Sequence, residues 1–205
     1  MKLKVNPTRM ELLRLKRRLK IAQKGHKLLK EKRDGLMKEF MSVIKIAKKT
    51  RIELEDKLSQ AFQSYTRASS SMSSIALKSA YTLPSIKLDI QSEIKNVMSV
   101  KIPRFSHTLK GDWLCYGYLD TSGELDRSII LINEILPTMI RLSEIEKSAQ
   151  MLAAEIEKTR RRVNALEHVL IPNITQTIKY ISMKLSEQER STITISMRIK
   201  ELINK

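Results

Sequence analysis

Turn-forming and aromatic residues are scarce in this chain. Five glycines and five prolines are spread over 205 residues, and aromatics make up only 4%. Such a chain cannot build the broad, ring-filled core of a compact globule; many Lys, Leu, Ile, Glu and Arg instead indicate long helices around a narrow core. The single cysteine, Cys115, rules out an internal disulfide and suits a reducing compartment. Long apolar runs are missing too. The longest aliphatic run is Ile129-Ile130-Leu131-Ile132, far short of the roughly 20 residues needed to span a bilayer. The opening "MKLKVNPTRMELLRLKRR" holds no uninterrupted apolar segment to act as a signal peptide. The expected location is cytoplasmic, or peripheral to a membrane.

Catalytic patterns are equally thin. The glycines never cluster into a phosphate-cradling loop, His26, His107 and His168 lack metal-ligand spacing, and Cys115 has no second cysteine to work with. Carboxylates such as Glu53, four residues before Lys57, read as ordinary helix-surface pairs. The reading is therefore of a non-enzymatic chain that needs no metal or cofactor.

Positive charge is abundant, but unevenly placed. Of the formal charge of +17, residues 1–51 hold 18 Lys/Arg against four acids, and the remainder hold 21 against 18. The first arm thus calls for acidic surroundings: nucleic-acid phosphate, anionic lipid or protein carboxylate. The apolar stripe is too narrow for a helix lying in a bilayer, which leaves nucleic acid and an acid-lined protein cavity as equal readings.

Apolar periodicity is the strongest signal present. Steps of three and four residues land on Leu12, Leu15, Leu19, Ala22, His26, Leu29, Arg33, Leu36, Phe40, Val43, Ala47, Thr50 and Leu54, ten of thirteen apolar, a sustained heptad seam. Leu58, Phe62 and Tyr65 extend it with a slight shift. His26 and Arg33 interrupt it, either as a locally weak core or as polar residues that fix register. A second stripe begins with Leu125, Ile129, Ile132, Leu136 and Met139. It continues through Ala149, Leu152, Ile156, Val163, Leu166, Leu170, Ile174, Ile178, Ile181 and Leu185. Pro137 and Pro172 interrupt this stripe, each removing an amide donor and crowding the carbonyl four residues back; they predict kinks in one helix. Thr8-Arg9-Met10-Glu11 and Thr121-Ser122-Gly123-Glu124 fit capping boxes at the two starts. "STITISMRIK" alternates like a strand yet keeps the heptad step, and is read as helix.

Between the arms, "SYTRASSSMSSIALKSAY" is small and polar. After Pro84, "IKLDIQ" and "NVMSVKIPRF" alternate at period two and suit short strands, a hairpin. "LKGDWLCYGYLDTSGEL" holds three of the five glycines and the only tryptophan, and reads as loop. The predicted domains are a coiled-coil helix over 1–76, a small mixed insert over 77–121 with a short helix or β-hairpin, and a coiled-coil helix over 122–205 kinked near Pro137 and Pro172. The fold class is all-α dominated: a long antiparallel two-helix coiled coil with a short β-hairpin insert. A parallel homodimer of arms is the competing arrangement.

The candidate partner-contact surface is cationic: Arg14, Arg17, Lys20, Lys24 and Lys27 on the first arm, and Arg160, Arg161 and Arg162 on the second. Three consecutive arginines sweep some 200° of helix and cannot line a single groove. Base reading would want supporting polar residues on the same face, and Asn164 alone supplies little.

"VNPTRMELLRLKRRLKIAQKGHKLLKEKRDGLMKEF" (5–40), "NVMSVKIP" (96–103), "YGYLDTSGELDRSI" (116–129) and "EIEKTRRRVNALEHVLIP" (155–172) together resemble, in order, the D-subunit family of V-type/A-type rotary ATPases. The resemblance covers nearly the whole chain; it is weakest at 69–74 and after Arg190. It implies a non-catalytic central-stalk rotor protein that transmits torque between the catalytic hexamer and the membrane ion-translocating ring. The implied partners are the small F subunit of the central stalk, the catalytic A and B subunits, and the funnel-shaped C/d-type cap of the ring. It implies neither nucleic-acid binding nor direct membrane insertion. A basic coiled-coil nucleic-acid-binding or scaffold protein is the alternative.

Overall fold

The computed structural model describes residues 5–82, 85–113, 115–117 and 121–203. Pro84, read above as the break before the first strand, and residues 118–120 of the glycine-bearing loop lie outside them. The elements run α1 (Arg9–Ser71), α2 (Ser74–Thr82), β1 (Lys87–Val97), β2 (Val100–Lys110), α3 (Gly123–Ala165), a π-helical turn (Leu166–Leu170) and α4 (Ile171–Ile203). They form two compact units: a terminal unit of residues 1–35 with 156–205, and a middle unit of residues 36–155.

Local chemistry sets the helix ends. Thr8 caps α1, its Oγ1 accepting the Glu11 amide at 3.3 Å and its carbonyl the Leu12 amide at 3.0 Å, which satisfies donors that a helix start otherwise strands. Only half of the predicted box forms: the Thr8 amide, which Glu11 would accept, donates to the Asn6 carbonyl at 2.9 Å, and the Glu11 carboxylate faces Arg14 at 3.7 Å. At the other end, the Ser70 and Ser71 hydroxyls bond the Arg67 and Ala68 carbonyls, a local alternative that weakens helix continuation. Ser73 then accepts the Ile75 amide at 3.3 Å as α2 begins. The cap of α3 is Ser122 rather than the expected Thr121. Ser122 Oγ accepts the Glu124 amide at 3.4 Å, while the Thr121 hydroxyl turns to the Gly117 carbonyl at 3.2 Å.

In the terminal unit α1 and α4 run antiparallel. Leu15, Ile174 and Ile181 form the buried core, with Leu12, Leu19, Leu170, Ile178 and Leu185 packed against it. Arg9 reaches Glu189 at 2.6 Å and His26 reaches Glu167 at 3.3 Å, so rising numbers on one helix meet falling numbers on the other. The pairing is therefore intramolecular and antiparallel, as the hairpin reading expected. His26 joins the two arms, the behaviour of a register residue; Arg33 instead bonds its neighbour Asp34 at 2.8 and 3.0 Å.

The π turn sits where the apolar steps change. The first arm keeps alternating threes and fours, whereas Leu166, Leu170 and Ile174 are separated by two successive fours. One residue in excess must be stored, and the Ile171 amide does so by bonding the Leu166 carbonyl, five residues back. Pro172, which has no amide to give and would crowd the His168 carbonyl in a regular α-helix, suits this position. Pro137 lies inside α3.

In the middle unit, Leu54, Ala61 and Ile135 form a core joined by Leu58, Leu131 and Leu142. Here the seam departs from expectation. Phe62 is 61% exposed, and the buried positions are Ala61, Ser64 and Ala68, with Leu125 and Ser128 buried on α3. Small side chains allow close packing of backbones; reading the seam by bulk therefore placed it one face away. Ile129 and Ile132, expected on the arm-to-arm stripe, instead line an apolar cavity of about 170 Å³ with Ile86, Trp113 and Cys115. α3 thus has two apolar faces, one for α1 and one for the insert.

The insert carries one antiparallel hairpin, with Val97 opposite Val100 closing a two-residue turn. "NVMSVKIPRF" is therefore not one strand: it contains the turn. Met98 (φ 50°) and Ser99 (φ 71°) both take positive φ, as a type I′ turn demands, although Asn-Gly suits it better. Met98→Asn with Ser99→Gly is expected to stabilise the hairpin by about 1 kcal/mol, read as slower amide exchange across β1 and β2. Beyond β2, Gly111 has φ +112°, and an added Cβ would lie 2.2 Å from the Ser85 carbonyl oxygen; only glycine fits there. Ser85 in turn lowers the pKa of the exposed Cys115 thiol through its side-chain and backbone hydrogen bonds. The thiolate therefore forms at lower pH than in an ordinary cysteine. Alkylation of Cys115 should rise at correspondingly lower pH, and Ser85→Ala should move that rise upward.

Candidate partner-contact surface

The eight cations singled out from the sequence all belong to the terminal unit. Arg14, Arg17, Lys20, Lys24 and Lys27 are exposed along α1. Steps of three and four keep them on the side away from the buried Leu15 and Ala22. Arg14 is drawn toward Glu11; the other four make no ion pair among the described residues. Sequence reasoning missed the aliphatic residues lying within this strip: Ile21 is 70% and Leu28 65% exposed. Both fall one position before a seam residue, a signal present in the sequence but outweighed by the stripe beside it.

Arg160, Arg161 and Arg162 occupy the arc between two buried seam positions, Thr159 and Val163. Three successive residues between consecutive seam contacts must point outward, and all three are exposed. Arg161 bonds Glu157 one turn back; Arg160 and Arg162 have no ion pair among the described residues. Glu167 sits beside His26 and the two helices run antiparallel, so residues 160–162 lie beyond Lys27 along the pair and form a second cationic area.

A third feature was not anticipated as surface. α1 begins at Arg9, which meets Glu189, yet α4 continues to Ile203. Along that extension Ile193, Ile195, Met197, Ile199, Leu202 and Ile203 are 51–76% exposed. Ile193 lines a cavity with Pro7, Thr8 and Arg9; among the described residues no helix faces the isoleucines and methionine beyond it, an unusual load of apolar surface. Among the described residues no helix is long and apolar enough to cross a membrane.

Two helical arms zipped antiparallel, with cations outward and a hairpin insert, define an antiparallel coiled-coil protein. Residues 11–201 match the family model of the ATP synthase D subunit. A V-type ATP synthase D subunit from Fusobacterium nucleatum is 49% identical over 207 aligned residues, covering 100% of this chain and 98% of that protein. Proteins of the same name from Acetivibrio thermocellus (48%, covering 98% and 92%) and Clostridium novyi (46%, covering 100% and 97%) are similarly related. The chain belongs to the ATP synthase D-subunit family.

Proposed function

We propose that this chain is the central rotor shaft of a V-type ATP synthase, a non-catalytic component carrying torque between the catalytic A/B hexamer and the membrane ion-translocating ring. Full-length similarity to D-subunit proteins carries this reading. The surface of the terminal unit fits it. An apolar α4 extension that no helix faces among the described residues suits a closed protein sleeve, and the basic strip on α1 suits acidic residues lining that sleeve. The F subunit of the central stalk and a C/d-type cap are the remaining proposed partners, and the assembly is peripheral to a membrane. The relatives give no support to a nucleic-acid-binding scaffold.

Knobs-into-holes packing makes the arms resist twisting, since side chains cannot slide without leaving their holes. Turning such a shaft presents different surfaces to each catalytic interface, which couples their nucleotide affinities through one moving part. The test is reconstitution with the A/B hexamer and single-molecule rotation. Replacing Arg14, Arg17, Lys20, Lys24 and Lys27 by glutamine should lower rotation per ATP consumed, more so at low salt, where unscreened charges matter most. Charge reversal at Arg160, Arg161 and Arg162 should reduce co-purification with a stalk partner. Unchanged torque and an unchanged complex would remove the two cationic areas from the account. Failure of the wild-type chain to join the hexamer would remove the shaft itself.

A further inference from the structure

We propose that the free edge of β1 is a self-complementary pairing surface, through which the chain forms a two-fold dimer when its stalk partners are absent. The hairpin register defines that edge. The closing pair of a two-residue turn exchanges hydrogen bonds, so pairs alternate outward from Val97–Val100. Lys95, Glu93, Gln91, Asp89 and Lys87 are bonded to β2, and Asn96, Ile94, Ser92, Ile90 and Leu88 direct their amides and carbonyls away from it. Two observations agree. Phe105, opposite Ser92, gives its amide to Glu144 Oε2 on α3 at 3.0 Å, and Pro103, which has no amide, sits opposite Ile94. α3 thus engages the outer edge of β2, while β1 is exposed along nearly its whole length and its outer edge is open among the described residues.

That edge is long, free of proline and bordered by apolar surface. Leu88, Ile90 and Ile94 are 41, 49 and 72% exposed on one face. Unpaired strand edges of this kind template further pairing, and a lone two-stranded hairpin gains from added strands.

Charge selects the occupant and its register. A second β1 laid antiparallel about Ser92 pairs every outward residue: Leu88 with the second copy's Asn96, Ile90 with its Ile94, and Ser92 with its own equivalent. On the opposite face Asp89 then meets the second copy's Lys95, twice by symmetry, a favourable cross-strand pair. Centring on Gln91 instead would set Lys87 against Lys95 and Asp89 against Glu93. Centring on Ile90 would carry Ile94 and Asn96 past the first residue of the strand. The two-fold axis at Ser92 stands perpendicular to the sheet, so both apolar faces fall on the same side of a four-stranded sheet.

The dimer belongs to the chain outside the rotor and is tested apart from torque. The purified full-length chain is followed by sedimentation velocity from about 1 to 100 µM. A dimer is expected. Lys95→Glu should weaken it about tenfold or more, and the swap Asp89→Lys with Lys95→Glu should restore it. Ser92→Pro should abolish it while leaving the ladder to β2 intact, as native-like amide exchange of the hairpin would show. In the dimer, the Ile90, Ser92 and Ile94 amides should exchange more slowly than in the Ser92→Pro monomer. A monomer throughout that range overturns the proposal, as does a dimer indifferent to Lys95→Glu and Ser92→Pro. A monomer whose β1 edge amides become protected only on adding a stalk partner also overturns it, assigning the edge to that protein's strand.

Discussion

Ile181→Ala is expected to destabilise the terminal unit by about 3 kcal/mol. Ile181 is fully buried and shares its cluster with Leu15 and Ile174. Truncation removes three carbons from a site where two helices face each other, and a narrow seam has few neighbours able to fill the gap. Met183→Ala, two residues away and 63% exposed, should change stability by less than about 0.5 kcal/mol. Urea unfolding followed by circular dichroism, with proteolysis to locate the loosened segment, separates the two. Equal effects would mean that the side chain of Ile181 does not carry the pairing.

A larger effect is expected from removing one residue in the wrong place. Deleting Lys179 turns everything after it by about 100° relative to α1. Ser182 then falls where Ile181 packs, and Ser186 where Leu185 packs. Losing both aliphatic contacts should cost about 4 kcal/mol or more. Deleting Val169 within the π turn is different: the turn closes to α-helix, and Ile174, Thr177 and Ile181 keep their places. What remains is the penalty for Pro172 in a regular helix, about 3 kcal/mol, which Pro172→Ala in the same background should remove. Urea midpoints of the three deletion variants test this. If the Val169 deletion with Pro172→Ala is as damaging as the Lys179 deletion, the π turn does not hold the excess residue.

These cases show how far pattern reading extends. The strict seam from Leu12 to Leu36 needed nothing beyond periodicity, because one buried stripe repeating every seven residues has a single helical solution. The same logic failed at Phe62, Ile129 and Ile132. Periodicity identifies an apolar face but not its partner, and α3 carries two such faces, toward α1 and toward the insert. Bulk also misled: Ala61, Ser64 and Ala68 pack because they are small, a property invisible when stripes are read by hydrophobicity. The "NVMSV" turn was hidden for a related reason, since neither Met98 nor Ser99 is a usual positive-φ residue. The cationic surface was legible residue by residue, because a charge beside a seam has only outward directions available. The aliphatic neighbours Ile21 and Leu28, and the bare extension of α4, were not, since exposure depends on where the opposite helix ends.

Sequence alone determined that this chain forms heptad-bearing arms with a short β insert, and that its charge is gathered on the first arm. Those properties follow from local spacing, and spacing is written residue by residue. The tertiary structure decided the rest: which face meets which, where one surplus residue is stored ahead of Pro172, and that α4 outruns α1 at Arg9. Each of these depends on the register between segments far apart in the chain, and register is set by packing that no single stretch contains.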